Sequence, residues 1–304
     1  MKYLHLIRYQ NLIFIALVQI FIKYGLFHPF GIEITLNAFG FALLVIATLC
    51  IAAAGNIIND IYDIDIDKIN KPQKVLIGKS ISEKSANNLF IILNVVGVAI
   101  GFYLANIIGK PAFSALFIVF SALLYLYASY LKGMLIIGNL LISALVAMSL
   151  IIVGLFDLMP AITPANQATQ STIFSIVLDY ALFAFSLNFI REIVKDLQDI
   201  NGDKKGDMNT LPITIGRKRT TTLIFILGIL MVGGVVYYMY TYLYNHQVLL
   251  LYFLFAIIAP LLYFCIKAWS AETQKDYAFL STILKIVMFT GILSMLLFQF
   301  TILK

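Results

Sequence analysis

The chain has 304 residues, 62% of them hydrophobic and only 12% charged, against roughly 45–50% apolar and about 25% charged in an ordinary soluble domain. Such a composition cannot cover a globule with polar surface in water, which excludes a soluble enzyme. The formal net charge of +6 raises nucleic acid as a partner, but the basic residues follow a membrane pattern instead of forming a patch, so no nucleic-acid partner is expected.

The apolar residues arrive in blocks that match a hydrocarbon core, about 17–25 residues each. In chain order the predicted spans are 11–28, 38–58, 88–108, 112–131, 134–156, 173–190, 222–243, 248–268 and 279–301. Their continuous apolarity, without the alternating ~10-residue segments of barrel strands, makes them helices. The expected fold is all-α, a polytopic membrane protein of about nine helices forming one domain over 1–304, with membrane lipids as its surroundings. The first span follows Lys2 and Arg8, and no small-x-small site closes it before Lys23 and Tyr24, so it reads as a retained helix rather than a signal peptide. Lys and Arg fall in alternate intervals, with only Lys110 and Lys304 on the minority side. That bias predicts a cytoplasmic N-terminus and an outer C-terminus, in the cell (plasma) membrane. Cys50 and Cys265 lie far apart in apolar spans and read as packing residues.

Two cytoplasmic intervals carry the chemistry. The first, after the second span, reads Asn56-Ile-Ile-Asn59-Asp60-Ile-Tyr62-Asp63-Ile-Asp65-Ile-Asp67-Lys68-Ile-Asn70-Lys71-Pro72. At about 100° per residue, Asn59, Asp63 and Asp67 share one helix face, with Asn56 and Asp60 on its edge and Asp65 pointing elsewhere. Like charges at i, i+4 are mutually destabilising, and more so where a membrane limits their solvation, so something positive belongs there. The second, after the sixth span, runs Arg191-Glu192-Ile-Val-Lys195-Asp196-Leu-Gln-Asp199-Ile-Asn201-Gly202-Asp203. Asp196, Asp199 and Asp203 recur at three- and four-residue spacing, although Gly202 is expected to end the helix near Asp203.

Oxygen ligands without His or Cys suit Mg²⁺ or Ca²⁺ rather than zinc, and the EF-hand spacing is absent. Mg²⁺ takes one or two carboxylates and shares its other positions between water and phosphate oxygens. Two acidic helix ends facing each other over a cavity would therefore hold a diphosphate through bridging ions. Either cluster alone fits a solvated helix end; two at matched spacing on one side of the membrane favour a site. A secondary transporter or channel is the alternative from another class, but it predicts acids near the midplane on discontinuous spans.

These residues resemble the UbiA-type intramembrane prenyltransferase superfamily. Its Asn-Asp-x-x-Asp-x-x-x-Asp signature is met by Asn59, Asp60, Asp63 and Asp67, followed by Asn70-Lys71-Pro72. Its Asp-x-x-x-Asp signature is met by Asp199 and Asp203, followed by Thr210-Leu211-Pro212 and Gly216. A Tyr-x-x-x-x-Lys element is similar to Tyr127 through Lys132, with Gly138-Asn139 just after, and Arg8-x-x-Asn11 fits the family's start. The Arg191-Glu192-x-x-Lys195-Asp196 run is most like the branch of geranylgeranylglyceryl-phosphate geranylgeranyltransferases. Where that branch continues with Asp-Arg-Pro-Ile-Pro, this chain has Gln73-Lys74-Val75-Leu76-Ile77.

The resemblance implies Mg²⁺-dependent transfer of a prenyl group, geranylgeranyl in that branch, from its diphosphate to a lipophilic acceptor, geranylgeranylglyceryl phosphate in ether-lipid synthesis, with an aromatic quinone precursor, haem or a chlorophyll-like ring as alternative acceptors. It implies that Asn59, Asp63, Asp67, Asp199 and Asp203 hold the metal, the four aspartates being the catalytic set. Lys132, Arg191, Lys195 and Tyr127 are then candidates for the diphosphate, and Arg8 and Asn11 for the acceptor. Tyr62, Tyr125 and Tyr127 read equally as cation-stabilising rings or as interfacial belt residues. Lys23 is expected to snorkel outward or touch substrate, and Lys285 to lie near a span end. Asn139 and Asn188 are expected to join helices. The outer loop 157–172 carries no evident chemistry.

Overall fold

The computed structural model describes residues 1–73 and 75–301, so Lys74 and Lys304, both counted in the charge pattern, lie outside it. Among the described residues nine helices are long and apolar enough to cross a membrane: α1 Tyr9–Phe27, α2 Ala38–Tyr62, α3 Glu83–Ile107, α4 Pro111–Ser129, α5 Ile137–Ala161, α6 Gln167–Lys205, α7 Arg217–Leu243, α8 Gln247–Trp269 and α9 Gln274–Phe298. They follow the predicted spans closely, because uninterrupted apolar runs must satisfy their backbone groups within the helix.

In the bundle α2 packs on α3 and α4, α5 on α6, α6 on α7 and α9, and α8 on α7 and α9. The ring closes where the end of α9 meets the second half of α1; a Cβ on Gly25 would lie 2.9 Å from Leu296 Cδ2. One continuous apolar core runs through the helices, from Val18 and Phe27 on α1 to Val287 on α9. A smaller one, built from Leu6, Ile57, Ile77, Ile81 and Ala86, seats the short helix Lys2–Leu6 and residues 76–81 beside the start of α3.

Helix α6 departs from its predicted bounds. The expected span stops at 190, where charged residues begin, but the helix runs for 39 residues, or about 58 Å at 1.5 Å per residue. A hydrocarbon core of about 30 Å cannot contain it, so its acidic last third extends beyond the apolar layer. Gly202 does not end it; the helix reaches Lys205 and Gly206 caps it.

The interval 157–172, read as featureless, anchors the other end of the bundle. Asp157 is fully buried and pairs at 3.0 Å with Lys23, so Lys23 does not snorkel. Lys23 also donates to Leu36 O at 2.6 Å, while Leu36 N–H donates to Asp157 Oδ1 at 2.8 Å. Burial makes the pair obligatory, since either charge alone would be stranded in a low dielectric. Lys285 lies well inside α9, away from its ends, at an exposed position. Asn188 and Asn139 do join α5 to α6, through Ser143 Oγ at 3.2 Å and Asp196 Oδ2 at 2.8 Å.

Candidate active site

The first acidic end does not lie on a single helix. Helix α2 stops at Tyr62, and Asp63, with φ −92° and ψ 3°, caps both α2 and the short helix Ile64–Asn70. The i, i+4 bonding nevertheless carries across the break, with Asp63 N–H donating to Asn59 O at 2.9 Å and Asp67 N–H to Asp63 O at 2.8 Å. Asn59 Nδ2 donates to Asp63 Oδ2 at 2.7 Å, and Lys132 forms an ion pair with the other carboxylate oxygen. Burial, and after it the charge of Asp63, holds the Asp67 carboxyl above the usual carboxylate range. Asp65 points away as expected, and its hydrogen bond from Lys68, at 2.7 Å, holds it below that range.

The second acidic end is the last third of α6. Asp199 pairs through Oδ2 with Lys71, and its Oδ1 is buried with no hydrogen-bond partner among the described residues. Asp203, one turn on, is buried within electrostatic range of Asp199, Asp63, Lys71 and Lys132. The two ends touch directly. Gly202 N–H donates to Asn70 Oδ1 at 2.8 Å, and a Cβ at Gly202 would come within 2.4 Å of Asn70 Nδ2. A glycine here lets the short helix approach the α6 backbone, which a side chain would hold off.

Lys132 reaches Asp63 from a tight turn. Leu131–Gly133 forms a 3₁₀ turn after α4, and Ile136 takes a positive φ of 63° before α5 begins. The turn lies so close on α5 that a Cβ at Gly138 would fall 2.7 Å from Lys132 Cα. Asn209 N–H, in the loop after α6, donates to Gly133 O at 2.8 Å and ties the third element in. Tyr127, on the last turns of α4, is within electrostatic range of Glu192, Asp196 and Asp63.

The structure thus gathers Asn59, Asp63, Asp67, Tyr127, Lys132, Asp199 and Asp203. Arg191 and Lys195 are turned toward the buried Glu192, at 3.5 and 2.8 Å. Arg8 begins α1 from a left-handed conformation, with φ 54°, and pairs with Asp60 at 2.6 Å. Asn11 is exposed on the first turn of α1. Tyr62 and Tyr125 are both exposed and bond through their hydroxyls at 3.0 Å, as belt residues do. Reading the sequence for acids missed Lys71, Asn70 and Glu192 as members of the site; the signal for the first two was their place in the Asn70-Lys71-Pro72 run.

Among the described residues no three acidic, His or Cys side chains are already gathered as a metal cage. Lys71 and Lys132 instead stand against the carboxylates of Asp199 and Asp63. The donor set is oxygen alone, and a buried carboxylate oxygen lacking a partner is what a hard divalent cation would satisfy. These residues therefore fit Mg²⁺.

Residues 12–293 match the UbiA prenyltransferase family. A digeranylgeranylglyceryl phosphate synthase from Korarchaeum cryptofilum is 33% identical over 255 residues, covering 82% of each chain. A solved structure from work on digeranylgeranylglyceryl phosphate synthase in membranes is similar with a TM-score of 0.62 at 24% identity, over 97% of this chain and 98% of that one. A UbiA homolog from Archaeoglobus fulgidus, bound to GPP and Mg²⁺, has a TM-score of 0.60 at 17% identity, over 97% of this chain and 99% of that one.

Proposed function

Since this chain belongs to the UbiA prenyltransferase family, we propose that it transfers a geranylgeranyl group from its diphosphate to geranylgeranylglyceryl phosphate, in ether-lipid synthesis and with Mg²⁺. The name carried by its Korarchaeum relative supports that acceptor, and the GPP and Mg²⁺ bound by the Archaeoglobus homolog support the donor and the metal. The observation that carries the reading is the meeting of two acidic helix ends, Asp63 and Asp67 with Asp199 and Asp203, across the Asn70–Gly202 contact. The whole chain, 1–304, acts as one domain in the plasma membrane, with this end facing the cytoplasm.

Asn59, Asp63, Asp67, Asp199 and Asp203 would hold Mg²⁺, which when bound supplies positive charge to the departing diphosphate. Lys132 and Lys71 neutralise the acids beforehand and, as flexible point charges, can turn to phosphate oxygens when the donor arrives. Preorganised charge aimed at a developing negative charge is the large term in such a reaction. Tyr127 stands beside the acids, where its ring can face the allylic carbon. The prenyl tail needs only the apolar walls of the helices.

The test is transfer from radiolabelled geranylgeranyl diphosphate by purified full-length protein, with geranylgeranylglyceryl phosphate or a hydroxybenzoate as acceptor, with and without EDTA. Product with the first acceptor, lost on chelation and restored by Mg²⁺, is expected. Product with the aromatic acceptor alone, or turnover indifferent to EDTA, would overturn the proposal.

A further inference from the structure

Arg191 lacks an adequate counter-charge. Its side chain is 15% exposed, and its Nε is buried with no partner among the described residues. The contact with Glu192 is 3.5 Å long, at the outer limit of a hydrogen bond. Glu192 is in any case engaged by Lys195 at 2.8 Å. Arg8 lies within electrostatic range of both Glu192 and Arg191, but its own partner is Asp60. Arg191, Glu192 and Lys195 together therefore carry one excess positive charge, and with Lys195 32% exposed and paired to Glu192 it is Arg191, at 15%, that is left under-compensated away from water. A buried cation without a partner is costly, so this arrangement calls for an anion from outside the chain.

The donor diphosphate is the weaker candidate. Arg191 lies eight residues before Asp199, about 12 Å along the helix axis, and Lys71 and Lys132 already serve the acidic end. The acceptor proposed above has a second anion: its reactive hydroxyl and its phosphate share one glycerol unit. That phosphate must lie beside the diphosphate without coinciding with it.

We propose that Arg191 and Lys195, held in place by Glu192 and flanked by Arg8, form the subsite for the phosphate monoester of the acceptor. Arg191 supplies the planar fork that suits a phosphate, and Lys195 a point charge. This inference rests on the acceptor proposed above and moves Arg191 and Lys195 from the donor to the acceptor.

The experiment measures KM for donor and acceptor separately, using geranylgeranylglyceryl phosphate and the same glyceryl ether without its phosphate. Arg191→Gln is expected to raise KM for the phosphorylated acceptor roughly tenfold to a hundredfold, the range for losing a hydrogen bond to a charged group. KM for geranylgeranyl diphosphate should change less than about twofold, and Arg191→Lys should recover part of the loss. With the dephosphorylated acceptor, wild type and variant should behave alike. An equal rise in donor KM, or an equal loss with both acceptors, would overturn the subsite, as would no change at all. If Arg191→Gln does not fold, Lys195→Gln applies the same criterion. Wild-type protein that uses neither glyceryl acceptor would instead defeat the proposed function, and the subsite with it.

Discussion

Lys23 with Asp157 at one end of the bundle, and the lysine–aspartate pairs at the other, use the same residue types in different surroundings. The Lys23 and Asp157 side chains are 3% and 0% exposed. Among the described residues the polar contacts around them close on the protein: Leu36 serves both charges, and Thr35 N–H and Oγ1 bond Asp157 O at 3.0 and 3.1 Å. At the acidic end Asp199 is 15% exposed and its lysine 27%. There Asp199 Oδ1 and Arg191 Nε are buried without partners among the described residues. A saturated pair is structural, whereas a partly exposed pair with unsatisfied atoms is arranged for a ligand.

The comparison breaks most readily at the saturated pair. Asp157→Asn leaves Lys23 charged in the core and is expected to cost about 3–5 kcal/mol of stability, read as a lower thermal midpoint in detergent. Transfer per folded molecule should stay near wild type. Lys23→Met combined with Asp157→Leu should regain most of the loss, since apolar replacement of a buried pair is often neutral. A transfer defect that persists in the stable double variant would place this pair in the catalytic machinery and erase the distinction.

At the open end the balance reverses. Asp63→Ala and Asp199→Ala are each expected to lower Mg²⁺-dependent transfer by roughly 10²–10³-fold, the scale of losing one electrostatic contribution to the transition state. Their thermal midpoints should fall less than that of Asp157→Asn, because the lysines they free, Lys132 at 12% and Lys71 at 27% exposed, are less deeply buried than Lys23 at 3%. Near-wild-type turnover in either variant would refute the assignment of these carboxylates.

The contact between the two acidic ends is the next test. In Gly202→Ala the added Cβ displaces the Asn70 side chain, whose amide atoms lie 2.4 and 2.7 Å from that position. Alanine gains up to about 1 kcal/mol of helix propensity, while the hydrogen bond to Asn70 loses about 0.5–1.5 kcal/mol, so stability should hardly move. Transfer should nevertheless fall roughly tenfold or more, because small displacements of positioned groups are expensive in rate. Asn70→Ala should act similarly, and the double variant should be no worse than either single one. Additive losses would mean that the two residues act separately.

What the sequence disclosed, and what it withheld, follows the same division. Span positions and the Asn59, Asp63, Asp67 face were readable because they depend on local periodicity. The helix break at Asp63 was not, since i, i+4 spacing survives it. The end of α6 was misplaced because Gly202 was taken to stop the helix, whereas the packing of Asn70 against it leaves the helix to run on to Lys205. Lys71–Asp199 and Lys23–Asp157 join residues 128 and 134 positions apart. No local pattern encodes such pairs; they follow from the order in which helices pack. Arg191 was legible as a cation but not as one lacking a counter-charge, because that depends on Lys195 having engaged Glu192 first.

The smallest expected effect concerns Tyr62 and Tyr125, which the sequence left balanced between two roles. Their side chains are 44% and 43% exposed, and the hydroxyls bond to each other on the outside of the bundle. A ring that stabilises an allylic cation must face the reacting carbon, and hence the acids, with water excluded. Tyr127 meets that condition better, lying within electrostatic range of Asp63. Tyr62→Phe and Tyr125→Phe should therefore change transfer by less than about twofold and stability by within about 0.5 kcal/mol, as exposed substitutions usually do. Tyr127→Leu should slow transfer by more than either of these, by up to about 30-fold if the cation–π contribution reaches 2 kcal/mol. A larger loss in Tyr62→Phe than in Tyr127→Leu would show that the reacting carbon lies on the exposed side of the end of α2, away from Tyr127.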